Sequence, residues 1–75
     1  MLRPGMSRRE ILREVIAAER RAHDVLAEAA RIVSDPDDRR FFASLATADE
    51  EALRQLAREQ EQLEAEEFVR QAVEV

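Results

Sequence analysis

Ser34-Asp35-Pro36-Asp37-Asp38 separates two long helical patterns in a chain of 75 residues. Proline is favoured at the first position of a helix, and an aspartate before it can cap the free amides of that helix. The two following aspartates meet the positive end of the helix dipole. With so short a connection between them, two helices must fold back on each other. The segment therefore predicts an antiparallel two-helix hairpin.

A capping box marks the start of the first helix. Ser7 is followed by Glu10, and this pair predicts a helix over residues 7–34, preceded by a short arm over residues 1–6. Two adjacent apolar stripes follow, with spacings that alternate between four and three residues. The first contains Ile11, Val15, Ala18, Ala22, Val25, Ala29 and Ile32, and the second contains Leu12, Ile16, Glu19, His23, Leu26, Ala30 and Val33. A face this wide is typical of a helix with several neighbours.

The segment after the break predicts a second helix over residues 35–65. Asp49 interrupts an apolar pattern made of Phe42, Leu45, Ala46, Ala52, Leu53, Leu56, Ala57 and Leu63. Glu64, Glu66 and Glu67 would oppose the helix dipole near a helix end, so they suit the start of a new helix better. Residues 66–75 are therefore predicted to form a short helix that bends or continues to pack on another subunit, with a frayed tail as the alternative.

Composition excludes several classes of function. The net charge of −5 argues against a nucleic-acid partner, which would need a basic face. The absence of cysteine excludes thiolate catalysis and cysteine-based zinc sites. No uncharged run approaches the roughly 20 residues of a membrane span, and no signal sequence is visible, so no membrane partner and a cytoplasmic location are predicted.

Length and patterning together predict self-association. A hairpin of this size has a marginal core, and one partner helix cannot cover two apolar stripes. Residues 1–34 carry a charge of +2 (7 Arg, 5 acids) and residues 35–75 carry −7 (5 Arg, 12 acids), which favours pairing of the two helices. We expect a homodimer or higher homo-oligomer, most simply a four-helix bundle.

Three blocks of residues follow a known pattern. They are Glu19-x-x-Ala22-x-x-Val25-Leu26-x-x-Ala29-Ala30, then Asp35-Pro36-x-x-Arg39-x-Phe41-Phe42-x-x-Leu45-Ala46, then Asp49 and Leu56. Over about residues 16–63 the chain resembles the first half of a rubrerythrin-type protein of the ferritin-like superfamily. The resemblance implies a ferritin-like four-helix bundle, in which a glutamate of the first helix and a Glu-x-x-His of the second hold iron.

The resemblance also points to candidate ligands. It places Glu19 at the first glutamate and Asp49 at the second, while Ala52 stands where the histidine should be. No histidine follows His23, so the di-iron chemistry of the family is in doubt and no catalytic residue is assigned.

A reduced site is still compatible with the sequence. His23 lies one turn after Glu19 on the same face, and a dimer would bring two copies of Glu19, His23 and Asp49 towards the bundle axis. These three are the predicted ligands of iron, manganese or zinc at the subunit interface. The open alternative is a metal-free oligomerisation module without a cofactor, in which arginines such as Arg20 or Arg54 neutralise the two carboxylates.

Overall fold

The computed structural model describes residues 1–74 and contains two helices, α1 (Arg8–Ile32) and α2 (Pro36–Glu74). Arg9 of α1 contacts Glu67 of α2, and His23 of α1 contacts Glu50 of α2. Residue numbers therefore rise along α1 in the direction in which they fall along α2, so the two helices are antiparallel. The predicted all-α antiparallel hairpin is confirmed. Neither helix within residues 1–74 has the length and apolar character that crossing a bilayer requires.

The caps of α1 follow the sequence closely. The Glu10 amide donates to Ser7 Oγ at 3.1 Å, and the Ser7 amide donates to Glu10 Oε1 at 3.3 Å, which confirms the predicted capping box. The helix ends at Ile32, before the predicted residue 34, because Val33 is already extended (φ −71°, ψ 147°). An extended segment ahead of proline is expected, since proline disfavours helical geometry in the residue before it.

The reversal is held by two side chains. Asp35 Oδ1 accepts from the Asp37 amide at 3.1 Å, as expected for a cap, and Pro36 is the first residue of α2 as predicted. Arg39 reaches back from α2, and its Nε donates to the Val33 carbonyl at 2.7 Å. This bond satisfies an orphan carbonyl at the end of α1 and links the two helices across the turn.

The second helix is longer than predicted. It continues without interruption from Pro36 to Glu74, so the separate short helix predicted for residues 66–75 is absent as far as Glu74; Val75 lies outside the described residues. No glycine or proline follows Pro36, and the residues beyond position 63 are mostly strong helix formers. An unfavourable charge near a helix end costs only about 0.3–1 kcal/mol, which is too little to break this helix.

The inner contact uses the second apolar stripe of α1. Among residues 1–73, only Ile16 and Ala46 are buried, and both lie where the helices face each other. Leu12, Leu26 and other members of this stripe are half-buried. The first stripe, one position earlier, remains outside this contact.

We call the uncovered surface the outer apolar face. Its large residues keep between 37% and 68% of their surface exposed. They are Ile11, Val15, Val25 and Ile32 of α1 with Phe41 and Leu45 of α2. Each of them precedes a residue of the inner contact by one position, and in an antiparallel pair such positions project to the same side of both helices.

The overall dimensions reflect this single layer. The hairpin measures 60 × 24 × 11 Å, and its long axis equals the length of α2, about 58 Å at 1.5 Å per residue. Its accessible surface is 5983 Å². A compact protein of this mass would expose about 4,700 Å². The hairpin therefore leaves about 1,300 Å² more surface open than a compact chain does.

Candidate functional site

Two carboxyl groups face each other inside the hairpin. Glu19 lies one turn after Ile16 on α1, and Asp49 lies one turn after Ala46 on α2, so both occupy the inner contact next to its most buried residues. Both are half-buried. Glu19 Oε2 and Asp49 Oδ2 are shielded from solvent and have no hydrogen-bond donor. The structure thus brings together two of the three predicted ligands, which we call the acid pair.

Burial and Asp49 both oppose ionisation of Glu19. The pKa of Glu19 is raised above its ordinary value by burial first and then by the negative charge of Asp49. A cation held between the two groups would compensate these like charges.

His23 lies one turn further along α1 and is turned away from the acid pair. Its Nε2 is 3.7 Å from Glu50 Oε1 on α2, and its Nδ1 is 3.2 Å from Asp24 Oδ1. The imidazole is therefore engaged by two carboxylates outside the pair. Within the described part of the chain, no group of three or more histidine, aspartate or glutamate side chains could hold a metal ion.

Glu50 contacts His23, although a comparison of helix levels places it opposite Glu19. Residues at equal height should have numbers that sum to about 69, which places Glu50 opposite Glu19. Side chains lean towards the start of their own helix, so those of α1 lean away from the turn and those of α2 lean towards it. This lean accounts for the contact of Glu50 with His23.

The same effect appears at the open end of the hairpin. A comparison of helix levels places the N-terminal arginines beside Glu59, Glu61 and Glu64, but Arg9 Nη1 contacts Glu67 Oε2 at 2.5 Å. This ion pair links the first turn of α1 to a point well along α2. The pair holds α2 against α1 as far as Glu67, so less of α2 extends beyond the end of α1.

The predicted arginine partners of the acid pair are engaged elsewhere or make no bond to it. Arg54 Nε donates to Glu51 Oε2 at 3.0 Å on the outside of α2. Over residues 1–74, no arginine forms a hydrogen bond or ion pair with Glu19 or Asp49. A single hairpin therefore leaves the two carboxyl groups without a positive partner.

Ala52 marks the missing ligand. It lies one turn after Asp49, is half-buried, and carries no donor atom for a metal. One chain thus supplies two facing carboxyl groups and one nearby imidazole, which is fewer ligands than a transition metal usually takes from a protein.

Comparison of the chain with protein-family models, with curated proteins and with solved structures gave no match.

Proposed function

We propose that the chain is a small ferritin-like protein of the rubrerythrin type, which binds iron or another transition metal between two copies of itself. In this proposal two hairpins form a four-helix bundle, and Glu19, His23 and Asp49 of each copy approach its axis. The proposed protein acts in the cytoplasm, as the sequence predicts.

The acid pair is the observation that carries this proposal. Each carboxyl group has a shielded oxygen without a partner, and a buried carboxylate without compensation is costly. A metal ion held by Glu19 and Asp49 would remove that cost. Carboxylates on facing helices are also the ligand type that ferritin-like bundles place in their cores.

A rearranged His23 would complete the set. Its contacts with Glu50 and Asp24 are 3.7 and 3.2 Å long, and the side chain is only partly covered. An imidazole released from these contacts lies on the face that carries Glu19, one turn away. Carboxylate and imidazole together suit iron, manganese and zinc.

The second candidate is a metal-free oligomerisation module that keeps the hairpin and has lost the site. Ala52 favours it, because the position that should supply a histidine supplies a methyl group. In this candidate no metal joins the acid pair, and the bundle serves only to bring copies together.

Metal analysis of protein purified without chelator separates the two candidates. The proposal predicts close to stoichiometric iron, manganese or zinc per pair of chains and a higher melting temperature on adding ferrous iron. Less than about a tenth of an equivalent, with no gain in melting temperature, contradicts it.

Matched variants locate the metal. Glu19→Ala and Asp49→Asn should abolish metal uptake, whereas Glu28→Ala, an exposed glutamate of the same helix as Glu19, should leave it intact. Ala52→His should strengthen binding by restoring the missing ligand. Equal uptake by Glu19→Ala and Glu28→Ala would place the metal elsewhere.

A further inference from the structure

We infer that the outer apolar face is the surface on which a second copy of this chain docks. This inference deepens the proposed function and rests on its requirement for two copies. It names the side of the hairpin that is covered, which the proposal itself leaves open.

The surface that the whole hairpin exposes beyond that of a compact chain has the size that a dimer needs. The hairpin exposes 5983 Å², about 1,300 Å² more than a compact chain of its mass. Covering that excess on two copies removes about 2,600 Å² in total, which lies within the 2,000–5,000 Å² range of obligate homodimers. A much smaller partner would leave most of the excess exposed.

The two flanks of α1 differ sharply in chemistry. The outer apolar face follows a stripe from Ile11 to Ile32 that contains no charged residue. The opposite flank, which we call the charged flank, is equally exposed and contains Arg20, Asp24, Ala27 and Arg31. Depletion of charge is the compositional mark of an interface core, so the stripe suits docking and the charged flank suits solvent.

The α2 side adds an aromatic anchor. Phe41 is 57% exposed, and its ring meets that of Phe42 edge to face, with centroids 5.3 Å apart. Phe42 is half-buried in the inner contact, so it holds the exposed ring against the hairpin. Aromatic side chains held in this way are frequent anchors of interfaces.

The outer apolar face also adjoins the acid pair. Ala18 and Ala48 are exposed, lie on the same side as this face, and directly precede Glu19 and Asp49. A second copy seated there would approach the acid pair closely, because alanines leave room for another backbone. The ligands that one chain lacks would then come from the covering copy.

A membrane surface is a poorer occupant of this face. Surface-bound helices flank their apolar side with basic residues, whereas residues 35–75 carry a charge of −7. A second copy matches the face better, because the same apolar surface is present on both partners.

Two arginine substitutions on α1 test the inference. Val25 is 68% exposed and lies on the outer apolar face, while Ala27 is exposed on the charged flank. Neither residue supports the inner contact, so both Val25→Arg and Ala27→Arg should preserve an isolated hairpin. Sedimentation equilibrium should show that Val25→Arg weakens dimerisation about 30-fold or more, as for an interface hot spot, and that Ala27→Arg leaves it unchanged.

The other outcomes are equally informative. If Val25→Arg loses its helical circular dichroism together with the dimer while Ala27→Arg keeps both, the inference is supported, because Val25 contributes little to the hairpin alone. Ile32→Arg should repeat the result.

A Val25→Arg protein that dimerises like the wild type overturns the choice of face and leaves the two-copy proposal standing. A monomeric wild type overturns both, and binding of that monomer to anionic phosphatidylserine vesicles would assign the face to a membrane.

Discussion

The two apolar stripes of α1 lie in different environments. The stripe that contains Leu12 and Ile16 meets α2, whereas the large side chains of the stripe that contains Ile11 and Val25 remain 37–68% exposed. One partner helix can cover only about a third of a helix surface, so a second stripe implies a second partner. This difference between the two stripes is the reason for proposing that the hairpin is one layer of a larger packing unit.

The largest expected effect compares one residue from each stripe. Ile16→Ala should cost about 2–5 kcal/mol of unfolding free energy, because it removes most of the only large buried side chain among residues 1–73. At concentrations too low for dimerisation, Val25→Ala should change stability by about 0.5 kcal/mol or less. Urea titrations followed by circular dichroism measure both. Equal losses would mean that the two stripes are not distinct.

The acid pair should show a pH dependence of a definite sign. The pKa of Glu19 is raised in the folded chain by burial and by Asp49, so folding favours its protonated form. The resulting destabilisation is absent below the ordinary value near 4.5 and grows as the pH rises through the raised pKa. Without metal, Glu19→Gln should therefore raise the melting temperature at pH 7 and have no effect at pH 3.5.

Glu28→Gln is the matched control with the opposite sign. Arg31 lowers the pKa of Glu28 through a hydrogen bond, so the charged form of this glutamate is favoured in the folded chain. That contribution is present above the ordinary value and is lost as the pH falls through the lowered pKa. The control should slightly lower the melting temperature at pH 7. A gain from both variants at pH 7 would indicate a general effect of net charge.

The ion pair at the open end of the hairpin should contribute less. Arg9 and Glu67 are partly exposed, and pairs of this kind are worth about 0.2–1 kcal/mol. A double-mutant cycle with Arg9→Ala and Glu67→Ala should give a coupling energy in this range, and it should shrink in 1 M salt. An additive cycle would mean that the two helix ends are not joined there.

The smallest effect is expected from the end of α2. Val69 and Val73 are 59% and 80% exposed and lie beyond the Arg9 contact. Ending the chain after Phe68 should change the stability of the isolated hairpin by about 0.5 kcal/mol or less. A clear fall in oligomer mass would instead support the predicted role of this segment in contacts between subunits.

The hairpin could be predicted from sequence because its signals are local. Ser7 with Glu10 and Asp35 with Pro36 specify helix ends through bonds within a few residues, and the structure contains those bonds. α2 continues past residue 65, where the sequence predicts its end, because helix propensity there outweighs the small unfavourable charge–dipole energy. The role of Arg39 at the turn has no periodic signature that could reveal it.

The candidate site was predictable only in part. The spacing of Glu19 and Asp49 within their stripes suffices to place them on facing sides of the hairpin. The direction of His23 depends on Asp24 and Glu50, and therefore on side-chain lean that stripe patterns do not capture. The number of copies at the site cannot be read from one chain, because it depends on what covers the outer apolar face.

Sedimentation equilibrium of the unmodified chain tests the central claim most directly. Covering the second stripe of α1 with another copy predicts a helical species of twice 8.6 kDa, which persists on dilution into the low micromolar range. An 8.6 kDa monomer at the same concentrations would contradict the account, because the second stripe would then have no copy to cover it.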